Sequence, residues 1–286
     1  MPHRRAAARP VSVPLRIDAP AKLNLSLRVV GRRADGHHEL DSLFVLLDLA
    51  DRLLLMPGCS GLRVEGDADG AVPLGSDNLA WRGLVAGLAG APDLCCLALE
   101  KCIPAAAGLG GGSSDAAAAW RLGRAWDAKP DIASSTDLLA LASIGADVPF
   151  FAAATAAARV TGIGERVAGV PAIEREVVLV HPPFGLSTAA IFAELRPEEW
   201  GRRENDLLSP AFRLRPELED LFATVTAAGG EPHLTGSGPT IFSLTDDPQR
   251  AAALAHGLRD RGLRTTHTRT RTTPPSIDRI DEETSA

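Results

Sequence analysis

The stretch PAAAGLGGGSSDAA, residues 104–117, decides how this chain is interpreted, because four of the five residues 108–112 are glycine. The segment before it, LCCLALE, predicts a strand. The segment after it, DAAAAWRLGRAW, is rich in helix formers and has Ser113 as its expected N-cap. A strand, a glycine-rich loop and a helix N-terminus in this order are typical of an anion site, since unpaired backbone N–H groups converge there. The alternative is a plain turn that starts the helix.

Two well-known phosphate-binding loops do not fit the glycine loop. A Walker A loop ends in Gly-Lys-Ser/Thr, whereas Gly112 is followed by Ser113 and the loop contains no lysine. A dinucleotide fingerprint reads GxGxxG, but the spacing from Gly108 and Gly110 reaches Ser113 instead of a third glycine. Four glycines are more than a simple turn requires. The loop is therefore predicted to bind phosphate in a way that matches neither motif.

Composition limits the classes of partner. The chain has 286 residues, of which 45% are hydrophobic and 23% charged, and this suits one large or two modest domains. The net charge of -6 argues against nucleic acid or an anionic membrane as partner, but not against a phosphorylated small molecule. No apolar run reaches the roughly 18 residues that span a bilayer. The four cysteines form no CxxC pair and no secretory signal is visible, so a cytoplasmic protein with free thiols is expected.

Lysine is scarce: of 30 lysines and arginines together, only Lys22, Lys101 and Lys129 are lysines. Lys22 lies in AKLNLSLRVV (21–30), where leucine and valine alternate with polar residues as in a half-buried strand. It shares the polar face with Asn24. Most lysines are solvated surface charges, but the scarcity indicates that these positions require a compact ammonium group.

The remaining pattern predicts a mixture of strands and helices without strict alternation, which favours an α+β fold of two lobes with a seam near residues 150–180. Expected helices are 78–88 with Ser76 or Asp77 as cap, 134–143, 187–195, 216–230 and 247–261. Expected strands include DSLFVLLDL, DRLLLM, Ala/Val-rich segments up to Val180, TIFSL and RTTHTRTR. Residues 1–15 and 272–286 are expected to be loosely held ends.

Two further segments attract attention. The turn TGSGPTIF (235–242) precedes a strand, and by itself it is typical of a plain loop. In GADVPFF (145–151), Asp147 has apolar neighbours. An aspartate after a helix usually caps or turns the chain, but the following Val-Pro-Phe-Phe favours a partly buried, paired carboxylate.

Taken in order, PAKLNLSLRVVGRRADGHHEL (20–40), the glycine loop, GADVPFF and TGSGPTIF resemble the GHMP kinases, the family of galacto-, homoserine, mevalonate and phosphomevalonate kinases. The resemblance extends over roughly residues 19–244. It implies an α+β fold with an N-terminal lobe (1–165) that contains a left-handed βαβ unit, unlike the usual right-handed crossover. A smaller α/β sandwich (166–271) and a flexible tail (272–286) would follow.

The resemblance also implies an ATP-dependent kinase that needs Mg²⁺. The residues expected to wrap the ATP phosphates are Pro104, Ala105, Ala106, Ala107, Gly108, Leu109, Gly110, Gly111, Gly112, Ser113 and Ser114. Asp77, Asn78 and Leu79 are expected near the adenine. No protein metal cluster is expected: Mg²⁺ would be held mainly by the phosphates, with Ser114. The segment His37-His38-Glu39 lacks the i, i+4 spacing of a helical zinc site.

The same resemblance assigns the chemistry. Lys22 and Asp147 would flank the acceptor hydroxyl, with Asp147 as general base. AKLNL and ADGxHEL resemble one branch of the family, whose members phosphorylate the 2-hydroxyl of an alcohol bearing a cytidine diphosphate group, in the non-mevalonate route to isoprenoid precursors. Residues expected to bind that substrate are Asn24, His37, His38, Thr188, Phe192, Gly236, Ser237 and Gly238.

One position departs from that branch. His37 stands where the branch has a base-stacking tyrosine, and this chain contains no tyrosine. His38 is therefore expected to read the base by hydrogen bonds and Phe192 to stack on it. The alternative for Phe192 is core packing of an amphipathic helix.

Two other functions stay open at this point. The chain could be a different GHMP kinase, of the homoserine or mevalonate type. It could also be a non-catalytic nucleotide-binding relative, although the presence of both Lys22 and Asp147 argues against this. The oligomeric state is not predicted.

Overall fold

The computed structural model describes residues 13–66, 72–88 and 92–280. The strands are β1 (Leu15–Arg32), β2 (His38–Pro57), β3 (Gly61–Glu65), β4 (Cys95–Glu100), β5 (Ala157–Gly162), β6 (Arg166–Gly169), β7 (Glu176–Val180), β8 (His233–Leu234), β9 (Ile241–Thr245), β10 (Thr265–Arg269) and β11 (Asp278–Arg279). The helices are α1 (Leu79–Gly87), α2 (Gly111–Trp126), α3 (Ser135–Leu141), α4 (Val148–Ala152), α5 (Thr188–Glu194), α6 (Leu208–Leu214), α7 (Glu217–Ala227) and α8 (Pro248–Asp260).

The first sheet is built around the long antiparallel pair β1 and β2, in the order β11-β1-β2-β4-β3. One half of β2 pairs with β4 and the other half with β5, which carries β6 at its edge. The segments DSLFVLLDL and DRLLLM form one strand instead of two, because no glycine or proline interrupts residues 38–56.

A βαβ unit positions the helix that follows the glycine loop. Strands β3 and β4 are parallel neighbours, with α1 between them in the chain. Helix α1 packs closely on α2, since a Cβ at Gly83 would lie 2.0 Å from the carbonyl oxygen of Ala116. The expected left-handed crossover stays a prediction.

The second sheet is antiparallel, in the order β10-β7-β9-β8. Its helices bury apolar side chains in one cluster with it, among them Ile191, Ala211, Leu218 and Leu254. The α+β architecture of two lobes is therefore confirmed. Since β6 pairs with β5, residues 166–169 belong to the first sheet. The lobe boundary at residue 165 stays a prediction.

The two lobes share part of their core. Leu23 of β1 packs in one cluster with Val177, Leu179 and Phe242 of the second sheet, and Leu109 of the glycine loop joins the same cluster. All five side chains are at least 98% buried. The glycine loop is therefore held where the two sheets meet.

Both ends of the described chain contact the first sheet. Asp278 and Arg279 pair with Arg16 and Leu15 of β1, and Arg16 and Asp278 form an ion pair; the flexible tail at 272–286 stays a prediction. Leu15 is buried at the start of β1 rather than frayed. Residues 1–12 and 281–286 lie outside the described residues.

The prediction of four free thiols is wrong for two cysteines. Cys59 and Cys96 form a disulfide, with their Cα atoms 5.2 Å apart, while Cys95 and Cys102 are free. The pairing follows from the sheet order: β3 begins next to Cys96 of β4, and this brings the turn at Cys59 beside it. In the part of the chain that the structure describes, no helix has the length and hydropathy to cross a membrane.

Candidate active site

Lys22 of β1 and Asp147, at the start of α4, meet in the cleft between the lobes. The Lys22 Nζ lies 3.3 Å from Asp147 Oδ2 and donates a 2.5 Å hydrogen bond to Asn24 Oδ1. It also lies 4.8 Å from the centre of the Phe44 ring. Lys22 is 4% exposed, whereas the Asp147 side chain is 29% exposed. The ammonium group is thus enclosed by the protein, while the carboxylate is partly exposed to solvent.

Strand β1 buries the polar face that the sequence suggested was half-exposed. Its pairing with β2 shifts register between Pro20 and Lys22 and again between Asn24 and Ser26. The backbone N–H of Lys22 donates to the Leu109 carbonyl at 2.9 Å, so the glycine loop covers this face. Asn24 donates from Nδ2 to Ser42 Oγ at 2.9 Å, and this fixes its Oδ1 toward Lys22.

The glycine loop takes a backbone path that needs glycine at two positions. Gly108 and Gly110 have φ values of 77° and 71°. Ala106 has a φ of 52°, which is strained because its Cβ disfavours the left-handed region. Helix α2 starts at Gly111 with Gly110 as N-cap, so the prediction of Ser113 as N-cap is wrong. The left-handed turn leaves the N–H groups of residues 111–113 at the open end of the helix, where they can bind an anion.

A cavity of about 540 Å³ opens in front of this helix end. Its wall includes the glycine loop on one side and Asp77, Asn78 and Leu79 on the other. Asn78, rather than Ser76 or Asp77, caps α1: its Oδ1 accepts from the Ala80 N–H at 2.8 Å, and its Nδ2 donates to Pro73 at 2.7 Å. The Asn78 side chain is therefore part of the cavity wall, and its amide oxygen and nitrogen already have hydrogen-bond partners within the protein.

The second glycine turn packs directly on the first. A Cβ at Gly108 would lie 2.6 Å from the Gly238 carbonyl oxygen, so the two backbones touch. A Cβ at Gly236 would lie 3.1 Å from Asn24 Oδ1 and 3.5 Å from Lys22 Nζ. Ser237 Oγ lies 2.9 Å from Thr188 Oγ1 at the start of α5. All the residues named here, apart from Thr188, come from the two glycine turns and β1.

Two adjacent buried residues, which were not predicted from the sequence, hold the second glycine turn against β1 by hydrogen bonds. Asn205 donates to the carbonyls of Leu234 and Gly236 at 2.7 and 2.9 Å. Asp206 accepts from the N–H groups of Val29 and Gly201 at 2.8 and 2.6 Å, and from those of residues 202 and 203. The pair ties β1 to the second glycine turn. In the sequence it is a short polar dipeptide in RRENDLL, which carries no periodic signal.

An aromatic cluster surrounds His38. Its ring stacks on Phe192 with centroids 5.1 Å apart, and Trp200 packs edge-on at 5.8 Å. Burial, with Arg32 nearby, lowers the pKa of His38, which favours the neutral ring. Trp200 was not predicted; it follows Phe192 by eight residues in a chain with few aromatic residues. Its indole nitrogen is buried without a hydrogen-bond partner.

His37 does not join this cluster. Its side chain is 65% exposed in the turn between β1 and β2, and its Nδ1 lies 3.3 Å from Asp35 Oδ1. The histidine that replaces the family's tyrosine therefore lies at the rim of the aromatic cluster. Stacking by His37 stays a prediction.

Helix α2 carries two buried polar side chains behind the glycine loop. The Ser114 hydroxyl is buried and has no hydrogen-bond partner. Asp115, expected to be a simple favourable charge at a helix N-terminus, is instead buried and paired with Lys101 at 2.7 Å. Burial raises the pKa of Asp115; Lys101 opposes this rise and Asp51 adds to it. Among residues 13–66, 72–88 and 92–280, no cluster of three His, Cys, Asp or Glu side chains could hold a metal ion.

Known proteins match both the sequence and the fold. The family described as "GHMP kinases C terminal" matches residues 189–263. A protein of Thermus thermophilus named 4-diphosphocytidyl-2-C-methyl-D-erythritol kinase is 39% identical, over 84% of this chain and 91% of its own length. A protein of Dinoroseobacter shibae with the same name is 38% identical, over 88% of this chain and 93% of its own length.

Solved structures also superpose on this chain. A crystal structure of 4-(cytidine 5'-diphospho)-2C-methyl-D-erythritol kinase superposes with a TM-score of 0.74 at 36% identity, and covers 89% of this chain and 98% of that one. The mevalonate kinase of L. major superposes with a TM-score of 0.69 at 14% identity, over 93% of this chain and 99% of that one, and this likeness shows the fold alone.

The two-lobed fold, with a glycine loop beside a paired lysine and aspartate, is that of an ATP-dependent small-molecule kinase of the GHMP class. Within that class, the identity to curated relatives is high along most of the chain. The chain belongs to the 4-diphosphocytidyl-2-C-methyl-D-erythritol kinases.

Proposed function

We propose that this protein transfers the γ-phosphoryl group of ATP to the 2-hydroxyl of 4-diphosphocytidyl-2-C-methyl-D-erythritol, a step of the non-mevalonate route to isoprenoid precursors. The observation that carries the proposal is the contact of 3.3 Å between Lys22 and Asp147, at the mouth of the glycine loop. Curated relatives named for this substrate support it.

In this proposal Asp147 accepts the proton of the attacking hydroxyl. Its carboxylate is partly exposed and makes no capping hydrogen bond to α4, so helix capping does not hold it away from a substrate. Lys22 would stabilise the negative charge that develops on the acceptor oxygen, and Asn24 would hold the ammonium group in place. A positioned general base of this kind contributes roughly 10²–10⁴-fold to the rate.

The glycine loop would hold the triphosphate. Backbone N–H groups at the start of α2 and the helix dipole favour the phosphate charges, and the cavity of about 540 Å³ lies within the usual size of a small-molecule site. Asp77 and Leu79, across the cavity, would contact the adenine end. Thr188 also lines this cavity and would face the transferred phosphoryl group.

One buried oxygen in the first turn of α2 is available as a ligand for Mg²⁺. The partnerless Ser114 hydroxyl is a hard oxygen ligand at the helix end, whereas the described residues offer no carboxylate cluster. We propose that Ser114 and the phosphate oxygens hold the ion, which neutralises phosphate charge when bound.

The aromatic cluster would take the cytidine end of the substrate. Neutral His38 can both donate and accept a hydrogen bond at a base edge, and Phe192 supplies a stacking face. The second glycine turn, with Gly236, Ser237 and Gly238, would close over the middle of the substrate, where it already touches Asn24 and the glycine loop. A cytoplasmic location stays a prediction.

Release of ADP tests the proposal. The purified protein would be given ATP, Mg²⁺ and, in parallel, 4-diphosphocytidyl-2-C-methyl-D-erythritol, mevalonate or homoserine. We expect turnover with the cytidine substrate alone, and its loss in a Lys22→Met variant. Turnover with mevalonate or homoserine instead would assign another GHMP activity, and ATP binding without any turnover would indicate a non-catalytic relative.

A further inference from the structure

Behind the glycine loop lies a buried group of one cation and two carboxylates, here called the loop clamp: Asp51, Lys101 and Asp115. They are 0%, 9% and 3% exposed. The Lys101 Nζ donates to Asp115 Oδ2 at 2.7 Å and, through a very short contact, to Asp51 Oδ2. Lys101 and Asp115 also belong to the wall of the cavity proposed for ATP, and none of the three groups has a part in the phosphoryl transfer described above. Burying them costs free energy unless their geometry is well matched.

The clamp joins the two ends of the glycine loop. Asp51 belongs to β2, in the middle of the first sheet, and its Oδ1 accepts from the N–H groups of Cys102 and Ile103 at 2.6 and 2.8 Å. These residues begin the loop. Asp115 lies in the first turns of α2, where the loop ends. Lys101 bridges the two carboxylates, so both ends are attached to one strand.

Lys101 also lies directly under the helix end. A Cβ at Gly111 would lie 3.5 Å from its Nζ. The narrow space between two carboxylates suits a compact ammonium group and not a planar guanidinium, which accounts for a lysine here in a chain that uses mostly arginine.

We propose that Asp51, Lys101 and Asp115 are positioning residues, which set the separation of the loop ends so that the N–H groups of the loop match the ATP phosphates. The inference rests on the proposed function, since it assumes that the loop binds ATP. Misplacement of such groups by about 1 Å costs up to roughly 10²-fold in rate. A clamp on this loop should therefore affect ATP and leave the cytidine substrate almost unaffected.

The test measures KM for ATP and for the cytidine substrate separately, with calorimetric binding of ADP. For Lys101→Met we expect KM for ATP to rise about 10-fold or more, while KM for the cytidine substrate changes less than about 2-fold. Asp115→Leu should behave in the same way. Asp115→Asn, which keeps a hydrogen-bond acceptor for Lys101, should recover most of the ATP affinity.

Helix α2 offers a matched control at its other end. Arg121 and Asp131 form a 2.7 Å ion pair there, with Arg121 buried. Asp131→Asn should lower the melting temperature without changing KM for ATP. This separates a general loss of stability from an effect on the glycine loop.

Several results would overturn the proposal. One is a folded Lys101→Met protein with wild-type affinity for ADP; another is an equal rise of both KM values. Should Lys101→Met not fold, equal ATP affinity of Asp115→Leu and Asp115→Asn would have the same meaning. If Gly110→Val leaves ADP binding unchanged, the proposed ATP site itself fails, and that result is distinct from a failure of the clamp.

Discussion

The side chain of Lys22 is fixed by three different neighbours. Asn24 accepts its hydrogen bond, Asp147 pairs with its charge, and the Phe44 ring covers its side. A lysine held in this way loses little conformational freedom when substrate binds, so its charge is ready where the acceptor oxygen develops its own. The aspartate is the more exposed partner, which is consistent with its proposed role as the group that accepts the substrate proton.

We expect Asp147→Asn to lower kcat by roughly 10²–10⁴, because the amide cannot accept the hydroxyl proton. Binding of ATP should change little, since Asp147 lies outside the glycine loop. Steady-state ADP release and calorimetry would measure the two effects. Asp137→Asn, in the N-terminal capping box of α3, is the matched control and should keep wild-type kcat. Near-wild-type turnover of Asp147→Asn would remove this residue from the mechanism.

For the base-reading residues we expect His38→Ala and Phe192→Ala to raise KM for the cytidine substrate. Trp200→Leu should raise it by up to about 10-fold, because an aromatic contact is worth roughly 0.5–1.5 kcal/mol and this one supports His38. His37→Tyr should leave KM equal or lower, since exposed His37 makes no ring contact with His38 or Phe192 to lose.

Substrate forms with cytidine and uridine provide the measurement for this set. His38 is expected to distinguish the two bases, so His38→Ala should reduce the ratio of their kcat/KM values toward one. A His38→Ala protein that discriminates as well as wild type would contradict the base-pocket assignment.

At the scale of elements, the two glycine turns and β1 form one contact region. Gly108 touches Gly238, while a Cβ at Gly110 would lie 3.1 Å from the Lys22 side chain and 3.0 Å from Phe151. A side chain added in the glycine loop at Gly110 would therefore also press on Lys22.

Gly110→Val should weaken ATP binding more than binding of the cytidine substrate, and it should also lower kcat. The valine would be strained at a φ of 71° and would displace Lys22. Gly112→Ala is the comparison within the loop: its Cβ meets only Leu79 Cδ1 at 3.2 Å, so the loss should be much smaller. Calorimetry showing unchanged ATP affinity in folded Gly110→Val would contradict the loop assignment.

Helices, strands and loops could be predicted from the sequence where they depend on residues that are close together in the chain. The strand at 95–100, the capped helix that starts at Ser134, and the glycine loop all follow from short-range chemistry. The contact between Lys22 and Asp147 came from the resemblance to a family. No local sequence pattern predicts this contact, because the two residues are 125 positions apart in the chain.

Features that depend on the folded environment were missed. Register shifts in β1 bury Asn24 together with Lys22, and alternation alone could not indicate this. Asn205, Asp206 and Trp200 act through partners that are distant in the chain. The helix at the glycine loop begins at Gly111, because a left-handed Gly110 ends the loop before the expected Ser113 cap.

On the scale of the whole molecule, His181 lies where β7 leaves the second sheet and approaches the glycine loop. It is 7% exposed, with Thr266 Oγ1 at 3.0 Å and Thr240 Oγ1 at 3.4 Å from its ring nitrogens. Burial, assisted by Arg264, lowers the pKa of His181 to about 4. The folded protein therefore holds this ring neutral.

This pKa predicts an acid-sensitive fold. Between about pH 6.5 and 4 the unfolded chain binds a proton at His181 that the folded chain does not, so the free energy of unfolding falls as pH decreases. The loss is on the order of 3 kcal/mol over that range. Urea unfolding at pH 7 and pH 5 should show a smaller pH dependence for His181→Asn than for wild type. Exposed His256 is the control, and His256→Asn should keep the wild-type slope; equal slopes for both variants would contradict the prediction.

The rarity of lysine also affects how the molecule meets an amine-reactive reagent. Of its three ε-amino groups, those of Lys22 and Lys101 belong to side chains that are only 5% and 6% exposed, while the Lys129 side chain is 33% exposed. Among the three lysines, acylation should therefore label Lys129 first. Label on either of the other two lysines would report an opening of the cleft or of the loop clamp. Mass spectrometry after proteolysis would give the acylation rate of each lysine. The rates at Lys22 and Lys101 would measure how often the cleft and the loop clamp open, and bound nucleotide should lower both.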